Sequence, residues 1–330
     1  MKVLVTGANG LLASNLVREL AETGYQVRGL VRDGSNLLSL NKADAELMKG
    51  DLTCRDDLRK AISGCDVVVH AAANTCQWPT NYEAYREINV QATRMIMEES
   101  GRRSISRFIF IGSANAFDPG SKKLPGTERS SFSFEKKTGY MISKFIAQKL
   151  VLDESRRTGF PAIVVNPTFM LGKFDAKPSS GQIILMALRN PFLICPPGGK
   201  NFVHVKDVAR GIVNAIKLGK TGECYLMANE NLSYREFFEK LGKTLHITQK
   251  YIPLPAGMFY LAGSSGSIYE KITGKPARLD RLNAGLLCSD FFYSPKKAVC
   301  ELKMPQTPVI HAIEDSAEWF SQHGYLSRIN

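Results

Sequence analysis

The opening twenty residues constrain this chain more than any other stretch. The run Lys2–Thr6 is short, apolar and β-branched, the pattern of a buried parallel strand. Gly7-Ala8-Asn9-Gly10-Leu11-Leu12-Ala13 follows at once, and Leu16, Val17 and Leu20 then share one helical face. Strand, glycine turn and helix together make a seat for a dinucleotide pyrophosphate. Glycines let the backbone approach the phosphates, and the start of the helix offers unpaired N–H groups at the positive end of its dipole. Gly7, Asn9, Gly10, Leu11 and Leu12 are therefore candidate cofactor-binding residues.

A chain of 330 residues can bury one large core and a smaller attached one. The glycine turn begins at residue 7, so no signal peptide is expected, and no apolar stretch is long enough to span a bilayer. The seven cysteines show no metal-ligand spacing, so no metal site is expected and they read as reduced thiols of a cytoplasmic protein. The net charge of +12 is spread through the chain. Its densest clusters, Arg102-Arg103, Lys122-Lys123, Lys136-Lys137 and Arg156-Arg157, are isolated pairs. That pattern reads as a solvated basic surface that attracts phosphate-bearing ligands, with no nucleic-acid partner expected.

Strands and helices alternate beyond the turn. Strands are expected at 26–31, 47–52, 65–70, 107–112 and 161–165, and helices at 56–63, 81–100 and 139–157. Alternation of this kind predicts an α/β fold with a doubly wound parallel sheet. The second strand ends at Arg32, with no acidic residue at its tip to take a ribose 2′-hydroxyl. Arg32 is placed to meet a 2′-phosphate, which favours NADP(H). NAD(H) stays open because Asp33 can turn toward the ribose. Small residues Ala71, Ala72 and Ala73 after the fourth strand let a cofactor lie against the backbone, and His70 is expected to pack at that strand's end.

Past residue 172 the alternation weakens. A strand at 202–205, a helix at 208–218 capped by Asp207, a strand at 224–227 and a mainly helical remainder are expected. This suggests a dinucleotide-binding unit of residues 1–172 and 202–228, with a smaller substrate-binding cap of 173–201 and 229–330. Phe169, Met170, Met258, Phe259 and Tyr260 hint at an apolar substrate, or equally at core.

Tyr140 and Lys144 lie four apart on the helix 139–157 and face the same way. A free phenol, with a pKa of ~10, transfers protons poorly at neutral pH, and a nearby ammonium favours its phenolate. Ser113, at the end of the fifth strand, can hold a carbonyl oxygen near Tyr140. Tyr-x-x-x-Lys alone is common, and its weight comes from following the glycine turn and the strand-end serine in this order.

With these pieces the chain resembles an extended short-chain dehydrogenase/reductase of the NAD-dependent epimerase/dehydratase family, over nearly its whole length. Ala13 departs from the third glycine of that family's turn, where slightly looser packing and intact binding are expected. The resemblance implies that Asp51 and Leu52 meet the adenine. It also implies that Asn89 supports the catalytic hydrogen bonds, that Pro167, Thr168 and Phe169 line the nicotinamide pocket, and that His204 is structural. Val31-Arg32-Asp33, Asn166-Pro167-Thr168 and Ser294-Pro295-Lys296 are similar to the dihydroflavonol-4-reductase-like branch. That branch implies a small-molecule carbonyl substrate reduced by hydride transfer. The alternatives are a nucleotide-sugar epimerase or dehydratase retaining NAD, with Lys200 among the available cations, a hydroxysteroid dehydrogenase/isomerase, or a dinucleotide sensor without turnover. Many relatives pair two long helices across a two-fold axis, so helices 81–100 and 139–157 are the expected faces of a homodimer.

Overall fold

In the computed structural model, residues 1–76, 81–135 and 137–326 are described; Lys136 of the basic pairs lies outside them. The chain order begins β1 (Lys2–Thr6), α1 (Leu11–Glu22), β2 (Gln26–Val31), β3 (Glu46–Lys49), α2 (Arg55–Ile62) and β4 (Val67–His70). A single turn α3 (Glu83–Tyr85), a π-helical turn Arg86–Gln91 and α4 (Ala92–Gly101) follow. Then come β5 (Arg107–Ile111), α5 (Gly139–Thr158) and β6 (Ala162–Pro167). With β10 (Cys224–Met227) these strands form a parallel sheet in the order β10-β6-β5-β4-β1-β2-β3. Strand order reverses between β1 and β4. In such sheets the crevice at the carboxyl ends beside that reversal receives ligands.

Two cores follow from the two-residue period of a strand. Val3, Val5, Val67, Val69, Ile109, Ile111, Ile163 and Val165 face one side, against α1 and α7 (Val205–Leu218). Leu4, Val68, Phe108, Phe110, Ala162 and Val164 face the other, against α2, α4 and α5. Both faces are covered over the central strands β1, β4, β5 and β6, which read as near-continuous apolar runs, whereas the edge strand β3 is mostly exposed.

The remaining elements are β7 (Phe169–Leu171), α6 (Gln182–Arg189), β8 (Phe192–Cys195), β9 (Gly199–His204), β11 (Glu230–Ser233), α8 (Tyr234–Thr244), β12 (Lys250–Pro253), α9 (Ala256–Thr273), α10 (Arg281–Leu287), β13 (Asp290–Phe291), α11 (Lys296–Leu302) and α12 (Val309–Gln322). Strands β7, β11 and β13 join β9 in a second sheet, and β12 pairs with β8. No helix among the described residues is long and apolar enough to cross a membrane.

Several boundaries differ from expectation. The third strand stops at Lys49, and Gly50, Asp51 and Leu52 form a loop. The strand expected at 202–205 runs from Gly199 to His204 and lies outside the large sheet. Helix α7 starts at Val205, three residues early, with His204 as its cap: the ring Nδ1 accepts from the Lys206 N–H at 3.1 Å. Asp207 is already inside the helix. Its buried carboxylate instead takes the Thr307 N–H at 2.7 Å and hydroxyl at 2.8 Å, tying the segment before α12 to α7.

Replacing Asp207 leaves a buried backbone N–H unpaired. Asp207→Ala should cost about 1–3 kcal/mol in urea unfolding. In a double-mutant cycle with Thr307→Ala the two losses should couple, whereas a helix-capping role would leave them additive.

Candidate functional site

Gly7 turns at φ +63°, and a Cβ there would sit 2.8 Å from the Ala72 Cα. Only glycine lets the β1 turn lie this close to the residues after β4. Gly29 in β2 plays a matching part, since a Cβ would meet the Ala8 methyl at 2.8 Å; the sequence reading gave that glycine no role. Gly10 precedes α1, whose first turn has no side-chain cap and no acidic residue, so its positive end stays uncompensated. Ala13 fits, buried in the core. Asn9 donates to the Asn36 carbonyl at 3.2 Å and accepts from the Ser39 hydroxyl at 2.8 Å, anchoring the turn to the loop after β2. Leu11 is half-buried, and Leu12 packs into the core.

At the end of β2 a cavity of about 440 Å³ opens among Arg32, Asp33, Lys49, Gly50, Asp51 and Asp57. Asp33 is ion-paired to Lys49 at 2.7 Å, whereas Arg32 is exposed and makes no ion pair among the described residues. The Asp51 carboxylate accepts from the Thr53 N–H and hydroxyl, each at 2.7 Å, which holds it below the usual carboxylate range. Leu52 is buried. An uncapped helix start, a glycine cradle that a Cβ would fill and an unpaired guanidinium suit a phosphate-rich dinucleotide. Ala71, Ala72 and Ala73 lie half-buried between this seat and the far end of the cleft.

At that far end Ser113 lies beside Tyr140, with its hydroxyl accepting from the Asn115 N–H at 3.2 Å. Burial raises the Tyr140 pKa, and the Ser113 hydroxyl opposes that rise. Ser113 is set by Asn166, whose Oδ1 accepts the Ser113 N–H at 2.9 Å. Gly112 is required there, because a Cβ would fall 2.0 Å from that oxygen. The Asn166 Nδ2 is buried without a hydrogen-bond partner among the described residues.

Lys144 lies one turn along α5, but its ammonium does not meet the phenol. It donates to the Ile111 carbonyl at 2.6 Å and sits 4.8 Å from the Phe110 ring centroid. Burial pulls its pKa down to about 7. The expected effect of the ammonium on the phenol is therefore not the main influence here; desolvation is.

Asn89 is buried in the π-helical turn, which widens the helix by one residue and swings Asn89 inward. Its side chain accepts from the Asn74 N–H at 2.7 Å and donates to the Asn74 carbonyl at 3.0 Å and the Ser143 hydroxyl at 2.9 Å. Ser143 in turn donates to the Tyr140 carbonyl at 2.7 Å. Asn89 thus braces the helix that carries Tyr140. His70 bridges Thr6 at 2.9 Å and Thr93 at 3.0 Å, and burial drives its pKa down to about 3, so it stays neutral. Thr93 and Ser143 went unnoticed in the sequence because nothing in their spacing marks them.

Pro167 ends β6 and is buried. Thr168 donates to the Asn201 Oδ1 at 2.7 Å. Phe169 packs edge-on against Phe202, and the Lys200 ammonium stands 5.3 Å from the Phe169 and Phe291 ring centroids. Lys200 has no carboxylate in ion-pair range among the described residues, and burial lowers its pKa to about 8. Met258 and Tyr260, expected near substrate or core, are exposed on α9, and only Phe259 is buried.

The Lys144 environment has a measurable signature. Unfolded, Lys144 holds its proton to about pH 10; folded, only to about pH 7. Between these values the unfolded chain binds the extra proton, so this group raises stability as pH increases. The urea midpoint of the ligand-free protein should gain on that of Lys144→Met from about pH 7 to about pH 10, and parallel curves would contradict the buried ammonium.

Comparison with known proteins agrees with this geometry. Residues 3–228 match the NAD dependent epimerase/dehydratase family. The chain is 31% identical to the Synechocystis protein named "Putative dihydroflavonol 4-reductase", over 98% of this chain and 95% of that protein. It is 28% identical to "Sterol demethylase protein B" of Methylococcus capsulatus, over 99% and 100%. The solved structure of gox2253 superposes with a TM-score of 0.86 at 31% identity, covering 98% of each chain. The chain therefore belongs to the NAD dependent epimerase/dehydratase family, as an NAD(P)-dependent enzyme of the short-chain dehydrogenase/reductase type.

Proposed function

We propose that this enzyme is an NADP(H)-dependent reductase of an apolar ketone or aldehyde. The observation that carries the reading is Ser113 set beside Tyr140 at the carboxyl edge of the sheet, with the Lys144 ammonium buried one turn away. Bound along the cleft, the reduced nicotinamide supplies a hydride for the substrate's carbonyl carbon. Ser113 donates a hydrogen bond to the carbonyl oxygen and fixes it beside the phenol. Tyr140 gives its proton to that oxygen as negative charge develops there. Lys144, held by the Ile111 carbonyl, would keep its remaining donors for the cofactor, and Asn89 holds the helix in register. The raised phenol pKa suits the reducing direction, because Tyr140 enters protonated at neutral pH.

Arg32 supports NADP(H): Asp33 is engaged by Lys49, which leaves the guanidinium open to a 2′-phosphate. Asp51, Leu52 and Ala71–Ala73 would flank the adenosine and pyrophosphate, and Pro167, Thr168 and Phe169 the nicotinamide. An apolar substrate is in keeping with the Phe169–Phe202 ring pair, and with the dihydroflavonol and sterol in the relatives' names. A second reading, a nucleotide-sugar epimerase or dehydratase retaining NAD, is favoured by the unpaired Lys200, whose cation would suit a substrate diphosphate.

The deciding experiment screens apolar carbonyl compounds and nucleotide sugars with NADPH and NADH. NADPH-dependent carbonyl reduction is expected, and NAD that stays bound through purification, with nucleotide-sugar turnover, would establish the second reading instead. Tyr140→Phe should lower kcat by about 10²–10⁴-fold with cofactor affinity nearly unchanged; undiminished turnover would remove the proton-transfer assignment. Arg32→Ala should weaken NADPH by about tenfold or more while sparing NADH, and equal losses for both cofactors would exclude 2′-phosphate recognition.

A further inference from the structure

Helix α9 is built inside out. Its inward face carries small residues, Gly263, Gly266 and Ser267, on which α10 and the segment before it sit closely. A Cβ on Gly263 would come within 2.7 Å of the Ala284 methyl, and the Ser267 hydroxyl takes the Arg281 N–H at 2.9 Å. Its large apolar residues point the other way. Met258, Leu261, Ile268, Tyr269 and Ile272 fall on one stripe opposite the glycines, at 52, 72, 60, 47 and 78% exposure. A helix of 18 residues displays that stripe over about 27 Å.

The charges beside the stripe are of one sign. Lys271, Lys275, Arg278 and Arg281 are all exposed. The two acids of the same segment are engaged: Glu270 accepts the Ala277 N–H at 2.8 Å, and Asp280 caps α10 through the Asn283 N–H at 2.8 Å. A second copy pairing this face with itself would bring no counter-charge to the four cations. An anionic lipid surface supplies it. From this face α10 leads inward to Leu286, which packs with Phe291 and Tyr140 in one apolar cluster.

We propose that α9 lies in the plane of an anionic phospholipid bilayer, with the Leu261–Ile268–Ile272 stripe sunk among the acyl chains and the basic residues on the headgroups. The chain rests on the membrane without spanning it, and apolar compounds dissolved there reach the cleft along α10. This docking is independent of which substrate reading holds.

The test uses the full chain and sedimentation with vesicles of phosphatidylcholine alone or mixed with phosphatidylglycerol. Binding is expected only with phosphatidylglycerol present, and it should weaken as salt is raised. The triple variant Leu261→Ser, Ile268→Ser, Ile272→Ser should bind at least about tenfold more weakly. The pair Lys275→Glu, Arg278→Glu should do the same, with the far-UV spectrum and cofactor affinity kept in both variants. Absence of wild-type binding to the mixed vesicles would overturn the proposal, as would binding indifferent to both variants. So would a wild-type dimer that the triple variant splits without any vesicle binding, which would make a second copy the occupant.

Discussion

A buried chain of hydrogen bonds joins the end of β1 to the helix that carries Tyr140 and Lys144, and the rest of the candidate site is hung from it. The Ala72 N–H donates to the Thr6 hydroxyl at 3.2 Å, and Thr6 reaches the His70 Nδ1. The His70 Nε2 meets Thr93, whose own proton goes to the Asn89 carbonyl at 2.8 Å. That last bond sets the directions: Thr93 accepts, so His70 carries its proton on Nε2, and Thr6 donates to Nδ1. From Asn89 the chain continues through Ser143 to the Tyr140 carbonyl. A neutral histidine is needed in this position, because an imidazolium would leave Thr6 nothing to donate to and would face the Lys144 charge. Buried polar groups satisfied in series specify one arrangement of their carriers. Here the carriers are β1, β4, the π-helical turn and α5, brought together at the strand reversal.

Close backbone approach does the complementary work. Gly7 against Ala72, Gly29 against Ala8 and Gly112 against Asn166 each put two segments nearer than a Cβ allows. The first two shape the turn after β1, and the third lets the Asn166 side chain reach the Ser113 N–H. Each glycine is costly to order in an unfolded chain. That cost is accepted where a neighbouring segment already takes the space a Cβ would need.

The large sheet is legible in the sequence because both faces are buried, which makes its strands uninterrupted apolar runs between helices of clear period. The turn, Tyr140, Lys144 and Ser113 stand out for a chemical reason: few residue types at those places could do the work proposed for them. Asn89 is visible only as a polar residue on a helix, and the π-helical turn that buries it leaves no mark in the pattern. Beyond residue 172 the strands are short and lie among prolines and glycines. Phe192–Cys195 alternates exposed and buried over four residues, too few to establish a period. Asp207 misleads for a physical reason. An acid before an apolar helix reads as a cap, but its true partner is Thr307, which is distant in sequence and meets it only once the chain has folded.

Two ammonium groups are drawn away from water, and their surroundings differ. Lys144 comes from the large sheet's side, and a carbonyl oxygen partly compensates its burial. An acceptor so placed keeps the ammonium in register with Tyr140 and leaves its remaining donors for a ligand. Lys200 comes from β9 and has only aromatic faces for company. A ring offers a cation far less than a carboxylate does, and both groups lose protons more readily than exposed lysines. The two lysines thus sit in different settings: one is tied to the backbone at the end of β5, and the other rests among aromatic rings on β9.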